Sequence, residues 1–263
     1  MSTSTIRIES GRAGVARITL ARPEKHNALN IEMIRELTAA AQSLGNDPNV
    51  RVIVLTGDGG TFCAGGDLDW MRGQIDMDRS ARLAEATELA NMLHALDTLP
   101  KPLIGRVQGA AFGGGVGLMA ICDIIVAVDS AKFALTEVRL GLIPATIVPF
   151  LIRRIGECGA RRFVLNAKVL TAAEAMAAGL VSVAVPSQEL DSAIEIEISA
   201  ALECAPGAVA AAKSICATIA RNPGGDYLAW SAEQLVGRWT SAEAEEGLGC
   251  FFERRRPSWR VKT

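Results

Sequence analysis

Two glycine-rich turns constrain what this chain can fold into more than any other part of it. The first covers 57–66 and leads into Asp67-Leu68; its end reads Phe62-Cys63-Ala64-Gly65-Gly66. The second covers 109–117 and contains Gly113-Gly114-Gly115. Each follows an apolar run, 50–56 or 103–108, that reads as a buried strand, and each precedes a helical segment. Glycine lets the backbone approach a neighbour closely and take φ values other residues avoid. A strand-to-helix turn leaves unpaired N–H groups pointing at whatever lies in front of it. Either turn alone reads most simply as tight packing. Two together can aim two N–H donors at one oxygen, an oxyanion hole built from backbone. A nucleotide fold competes poorly: Gly113–Gly117 is not a G-x-G-x-x-G followed by a suitable acidic residue, and no G-x-x-x-x-G-K-[ST] occurs.

The flanking pattern predicts an α/β class. Residues 5–8 and 15–20 alternate apolar and polar around Gly11 and Gly14, as a hairpin does. Asn30 is placed to cap a helix on the spacing Ile31, Ile34, Leu37, Ala41, Leu44, with Gly45 as its stop. A second amphipathic helix is expected over 80–97, and a strand over 123–128. Strands alternating with helices imply right-handed crossovers over covered sheets. After about residue 188 no convincing strand remains; helices are expected over 189–204, 206–221 and 226–248. An α/β core over 1–190 followed by a helical region over 191–263 is the expected organisation. Leu228, Trp230, Leu235, Trp239, Phe251 and Phe252 are more apolar surface than a thin helical layer buries alone, so they are expected to dock on the core or on a neighbouring subunit.

Composition removes several function classes. The 29 acidic and 27 basic side chains give a net charge of −2, which argues against a general nucleic-acid binder. Six cysteines (Cys63, Cys122, Cys158, Cys204, Cys216, Cys250) contain no C-x-x-C pair, so they read as free buried thiols rather than a zinc knuckle or disulfide scaffold. With only His26 and His94, histidine-based metal sites and Ser-His-Asp catalysis have little room. No apolar h-region opens the sequence, and no apolar stretch reaches the length a membrane helix needs. A cytoplasmic protein without membrane contact is expected.

In order along the chain, several words resemble the enoyl-CoA hydratase/isomerase (crotonase) superfamily. These are Arg22-Pro23-Glu24-Lys25-His26-Asn27-Ala28-Leu29, Phe62 to Leu68, Gly113-Gly114-Gly115, Cys122-Asp123-Ile124, Phe133-Ala134-Leu135-Thr136-Glu137, Gly141-Leu142-Ile143-Pro144, and Ala173-Glu174-Ala175 through Gly179-Leu180-Val181. The resemblance spans about 5–190, and the helical tail is also of the family type. It implies a spiral of stacked ββα units with a helical C-terminal oligomerisation region that builds homotrimers, often paired into hexamers. It implies an acyl-CoA thioester as substrate and no separate cofactor or metal. The N–H groups of Gly66 and Gly114 would form the oxyanion hole, and Glu137 would be the catalytic carboxylate. Lys25, Ala28 and Leu29, with Ala64, Asp67 and Leu68, would hold the CoA portion. The reaction implied is syn addition of water across the C2=C3 bond of a 2-enoyl-CoA through a thioester enolate.

Two departures from the family pattern bear on the reaction. The second glutamate usual in family hydratases, two residues after the glycine triplet, is here Gly117. One carboxylate still permits hydration, but it is also the pattern of Δ3,Δ2-enoyl-CoA isomerases, which shuttle one proton. A non-catalytic acyl-CoA-binding relative is the further alternative. After Pro144 the usual glycine-rich stretch is replaced by Ala145-Thr146-Ile147-Val148-Pro149-Phe150, expected to reshape the acyl pocket if it lines it. The glycine triplet with Val116-Gly117-Leu118 and the stretch Thr136 to Ala145 are similar to bacterial methylglutaconyl-CoA and isohexenylglutaconyl-CoA hydratases of leucine and terpene breakdown. Arg72 and Arg139 are then the candidates for meeting a distal carboxylate, although a surface arginine is the simpler reading of each.

The remaining polar residues have plainer readings. His26 is structural or near the CoA phosphates, and His94 is a satisfied helix residue. Cys63 has no base at predictable spacing and reads as a packing thiol. Asp67 and Asp69 are carboxylates at a helix N-terminus. Glu174 is expected in solvent on a helix, and Arg254-Arg255-Arg256 as a solvated run, with a CoA phosphate contact as its functional alternative.

Overall fold

The computed structural model describes residues 4–260; the outermost residues of the two expected segments, 1–3 and 261–263, lie outside it. β1 (Ile6–Ser10) and β2 (Val15–Leu20) form the expected antiparallel hairpin, with Ile6 opposite Leu20 and Ser10 opposite Ala16. The chain then runs through α1 (Ile31–Asn46), β3 (Val52–Gly57), β4 (Thr61–Cys63), α2 (Leu68–Asp76) and α3 (Arg79–Asp97). It continues with β5 (Leu103–Val107), β6 (Ala110–Phe112), α4 (Gly114–Ala120), β7 (Ile124–Val128) and β8 (Lys132–Ala134). A 3-10 turn (Glu137–Leu140), α5 (Val148–Val164), β9 (Leu170–Thr171), α6 (Ala172–Ala177) and β10 (Val183–Val185) complete the α/β part.

Two sheets result, one in the order β1-β2-β3-β5-β7-β10 and one in the order β4-β6-β8-β9. In each pair β3–β4, β5–β6 and β7–β8, the first strand joins the larger sheet and the second the smaller. Each lies parallel to its counterpart from the turn before. This is the expected spiral of ββα repeats. β3, inside the larger sheet, is covered on both faces: it opens on the apolar run Val52-Ile53-Val54-Leu55 and every residue is buried. α1 presents Met33, Ile34, Leu37, Ala40, Ala41 and Leu44 to the core at helical spacing. Phe62, Phe133, Phe163, Ile18, Leu20 and Leu55 are among the largest side chains buried completely, each contributing about 2–3 kcal/mol of apolar burial.

Several local expectations are corrected. Each glycine-rich turn contains a short strand, β4 or β6. Three residues are too few to show a period, and their partners come from neighbouring turns of the spiral rather than from nearby sequence. Gly45 does not stop α1; it lies in the last turn, where Cβ-free backbone packs against Leu99, and the helix ends before Asp47-Pro48. The helix expected over 226–248 is two: α9 (Leu228–Trp239) and α10 (Ala242–Glu253), interrupted where the Ser241 hydroxyl accepts the Ala244 N–H and caps α10. Cys63, Cys122 and Cys250 are buried, but Cys158, Cys204 and Cys216 are exposed.

The helical region expected from 191 has two parts. α7 (Leu190–Leu202) buries Leu190, Ile194, Ile198 and Leu202 in the same core as the sheets. α8 (Pro206–Arg221) and α9 bury no residue fully, and α10 buries Cys250. Arg51 ties these segments together by donating to the carbonyls of Leu202, Cys204 and Trp259. Leu228, Leu235, Trp239, Phe251 and Phe252 are all exposed, Phe251 and Phe252 at 76%. Among the described residues no single helix is long and apolar enough to cross a membrane.

The cap on α1 offers a direct check of the local reading. Asn30 has extended backbone and its side-chain oxygen accepts the Met33 N–H at 2.9 Å. Asn30→Ala is expected to cost about 1 kcal/mol of stability, measured by denaturant unfolding, without changing the far-UV circular dichroism of the native state.

Candidate active site

The two glycine-rich turns touch through their backbones. Gly65 has φ of 98° and Gly113 φ of 47°, both in the region only glycine occupies freely. A Cβ built on Gly65 would lie 3.0 Å from the Phe112 carbonyl oxygen and 3.6 Å from the Gly113 Cα. A Cβ on Gly115 would lie 2.3 Å from the Cys63 carbonyl oxygen, so the start of α4 abuts the end of β4 with no room for a side chain. Gly66 and Gly114 sit beside this contact. Gly114 opens α4, where the N–H has no helical partner. Among the described residues neither the Gly66 nor the Gly114 N–H donates to a protein acceptor. The two amides singled out by sequence are therefore brought to one place and left free.

The segment 22–29 locks this arrangement. Leu29 forms a parallel bridge to Gly66: its N–H donates to the Gly65 carbonyl at 2.7 Å and its carbonyl accepts the Asp67 N–H at 2.8 Å. The Leu29 side chain also packs on the other turn, its Cδ1 2.6 Å from where a Gly114 Cβ would be. Asn27 is fully buried in left-handed conformation; its Nδ2 donates to the carbonyls of Asp58 and Thr61, both at 2.8 Å, and its Oδ1 accepts the Arg22 N–H. Arg22 donates to the Ala28 carbonyl and to Asp67 Oδ2, both at 2.7 Å. Asp67 in turn caps α2 by accepting the N–H groups of Asp69 and Trp70. Burial pushes the Asp67 carboxyl up, but the Arg22 guanidinium and the two N–H donors outweigh it and hold it below its ordinary range.

These contacts sort the residues expected to hold CoA. Ala28, Leu29 and Asp67 are buried and engaged within the protein, so they shape the turn rather than present side chains. Ala64 donates its N–H to the His26 carbonyl. Lys25, half-exposed and 3.0 Å from Asp69, and Leu68, exposed, face outward. Arg22 and Asn27 carry the most hydrogen bonds here, yet sequence reasoning assigned them no role. Their signal was only the presence of an arginine and an asparagine flanking a proline turn.

Glu137 begins the 3-10 turn after β8. The Gly113 N–H donates to the Ala134 carbonyl at 2.9 Å, which draws the end of β8 to the second glycine turn. Glu137 Oε1 lies 3.1 Å from where a Gly113 Cβ would be, and its Oε2 is buried with no hydrogen-bond partner among the described residues. Burial without a compensating cation pushes its carboxyl above the ordinary range. A carboxylate so placed is poised to exchange a proton next to two free amides.

Sequence reasoning also missed the residues that face these groups. Met71 Sδ lies 3.2 Å, and Trp70 Cζ3 3.7 Å, from where a Gly66 Cβ would be. Trp70 Nε1 donates to Glu85 at 2.6 Å, which fixes the ring. The space above Gly117 holds Ile147. Of the arginines named for a distal carboxylate, Arg139 donates to the Ala167 carbonyl at 2.7 Å, and Arg72 is an exposed residue of α2 near Asp69. Cys63 is buried, its thiol pushed up to about 12, which suits packing rather than attack. Glu174 is not a bare surface residue; it forms a capping box with Thr171 and pairs with Lys168, which hold its carboxyl at about 2. Arg255 is paired with Glu246 and Glu253, so the arginine run is partly engaged. His26 is exposed and left-handed near Thr61, and His94 lies exposed on α3.

Residues 10–262 match the family model described as Enoyl-CoA hydratase/isomerase. A Mycobacterium tuberculosis protein named "Probable enoyl-CoA hydratase echA8" is 32% identical over 261 residues, 98% of this chain and 99% of that one. The crystal structure of an enoyl-CoA hydratase from Shewanella pealeana superposes with a TM-score of 0.93 at 37% identity, covering 97% of this chain and 96% of the other. That of Pseudomonas aeruginosa AtuE superposes with a TM-score of 0.92 at 35% identity, covering 98% and 100%. With the fold, the paired glycine turns and the sequence match all extending over nearly the whole chain, it belongs to the enoyl-CoA hydratase/isomerase family.

Proposed function

We propose that this protein is an enoyl-CoA hydratase acting on a branched or glutaconyl-type 2-enoyl-CoA. The observation that carries this reading is the buried Glu137 carboxylate set against Gly113, beside two unpaired amides on touching turns. In a 2-enoyl thioester the carbonyl makes C3 electrophilic. As water adds at C3, negative charge gathers on the thioester oxygen. The Gly66 and Gly114 N–H groups stabilise that enolate, and removing one such donor typically costs about 3 kcal/mol. Glu137 takes a proton from the attacking water as the C3–O bond forms, then returns it to C2 on the same face, so addition is syn. The carboxylate must be ionised to begin, and its depleted solvation makes it a stronger base than an exposed glutamate.

A second reading has its own support. Gly117 offers no second acid, and Ile147 fills the space over it, so a lone carboxylate shuttling one proton between C2 and C4 describes a Δ3,Δ2-enoyl-CoA isomerase equally well. Incubation in D2O with a 2-enoyl-CoA and with a 3-enoyl-CoA separates the readings. Hydration gives a 3-hydroxyacyl product with deuterium at C2; isomerisation gives a shifted double bond; no turnover with any enoyl-CoA, glutaconyl types included, would leave an acyl-CoA-binding protein. Crotonyl-CoA is expected to be a poor substrate, because no second acid assists at 117. Rapid crotonyl-CoA hydration in a steady-state assay would contradict that expectation.

Glu137→Gln is expected to lower kcat by about 10²–10⁴ with little change in CoA affinity, read from kinetics and from calorimetric titration. The acid limb of the parent's kcat profile is expected above the ordinary carboxylate range, because the folded carboxyl is raised by burial. The same shift has a stability consequence. A carboxyl raised in the folded state binds its proton more tightly there than in the unfolded chain. Its favourable contribution is therefore present below the unfolded value and lost as pH rises through the folded one. Glu137→Gln is expected to raise the thermal midpoint at pH 7, with the difference shrinking below about pH 4.

The same family likeness implies a homotrimer or a hexamer. The exposed apolar side chains of α9 and α10 support assembly through that face. Phe251→Asp combined with Trp239→Asp is expected to shift the assembly to monomer in sedimentation velocity. An unchanged sedimentation coefficient would place the contacts elsewhere.

A further inference from the structure

Gly117 lies one turn beyond Gly113 on α4, its N–H donating to the Gly113 carbonyl at 3.2 Å. The first of these glycines faces Glu137 Oε1; the second faces Ile147, whose Cγ1, Cδ1 and Cγ2 lie 3.0, 3.4 and 3.6 Å from where a Gly117 Cβ would be. Gly113 is the non-helical N-cap of α4, and Gly117 follows it one turn into the helix. Ile147 is 3% exposed, whereas Leu142 and Ile143 of the same loop face solvent. The loop is tied at both ends: the Leu142 N–H donates to the Glu137 carbonyl at 3.1 Å, and the N–H groups of Ile147 and Val148 both donate to the Pro144 carbonyl at 3.0 Å. One short stretch therefore carries both Glu137 and Ile147, the side chains that meet α4 at Gly113 and at Gly117. β-Branching leaves Ile147 little freedom to swing aside. Gly117 is not required by its backbone, since it lies in a helix and outside the left-handed region, and alanine is the better helix former. What requires glycine there is the isoleucine.

We infer that Ile147, seated in the notch left by Gly117, is a specificity-determining residue that closes the acyl side of the site beside Glu137. It sets how far the acyl chain extends past the reacting carbons, and it keeps that wall apolar. The inference rests on the enoyl-CoA reading above and goes beyond it by naming the wall.

The test has a packing arm and a substrate arm. Gly117→Ala is expected to lower the thermal midpoint of the parent but to raise it when combined with Ile147→Ala, a reversal of sign that only direct contact produces. Ile147→Ala is expected to raise the ratio of kcat/KM for 2-decenoyl-CoA over crotonyl-CoA by about tenfold or more. If that variant folds poorly, Ile147→Val is expected to move the ratio the same way by about twofold to fivefold. Additive midpoints, or a ratio unmoved in both variants, would overturn the inference while leaving the parent's activity in place. A parent inactive on every enoyl-CoA would instead overturn the activity, and the acyl wall with it, whatever the midpoints show.

Discussion

The site depends on one close approach, that of the Gly65 backbone to Gly113. Two strand-to-helix turns from successive levels of the spiral meet there without side chains between them. The spiral makes this possible. Parallel pairing of β4 with β6 stacks equivalent turns, with a register shift between Thr61 and Cys63, and strands spaced about 4.8 Å apart bring their following turns within backbone contact. Any Cβ at Gly115 would drive into the Cys63 carbonyl and push the turns apart. The free N–H groups of Gly66 and Gly114 are a by-product of that geometry, fixed before any ligand arrives. Preorganised donors of this kind need no rearrangement when charge develops on the oxygen they face.

The structure carries strain and unpaired polarity in this region and compensates for both nearby. His26 and Asn27 are left-handed, and Glu137 Oε2 is buried alone. Against this, Asn27 makes three hydrogen bonds, Arg22 bridges the Ala28 carbonyl to Asp67, and Asp67 caps α2. A buried polar group with its partners satisfied costs little; one left without them costs about 1–3 kcal/mol. The first group therefore holds the scaffold rigid, while Glu137 retains the unfavourable solvation that the proposed proton transfer would draw on. Division of labour between the two carboxylates follows from their surroundings alone: Arg22 and two N–H donors keep Asp67 ionised and inert, and burial without a cation keeps Glu137 basic.

Much of this was legible in the sequence, and the illegible parts have physical reasons. The β1–β2 hairpin, α1 with its Asn30 cap, β3, β5 and β7 announce themselves through period and punctuation. The paired turns show through glycine. β4 and β6 did not, because their pairing is entirely non-local and three residues carry no period. The break between α9 and α10 was hidden because the Thr240-Ser241 pair disturbs the helical pattern by a single turn. Arg22 and Asn27 stand in the stretch 22–29 without a legible task, since a buried hydrogen-bond hub is defined by carbonyls from Asp58 and Thr61 that no local pattern links to it. Leu29, expected in the turn that holds CoA, also clamps the two glycine turns together, a role that depends on where Gly114 lies in space.

The contrast between Gly113 and Gly117 shows how one helix can carry two kinds of glycine for opposite reasons. At Gly113 the backbone itself demands glycine, with φ of 47° and a carboxylate oxygen where a Cβ would point. At Gly117 the backbone is ordinary, and the demand comes from the Ile147 side chain, 30 residues away in sequence but adjacent in space. A glycine count would treat the two alike. Their neighbours do not: one borders Glu137 Oε1, whose companion Oε2 is buried without a hydrogen-bond partner among the described residues, and the other is filled by carbon. Glu137 and Ile147 thus meet α4 at its cap and one turn further along. In the proposed reaction the proton chemistry belongs to Glu137, and Ile147 is left to shape what can lie beside it.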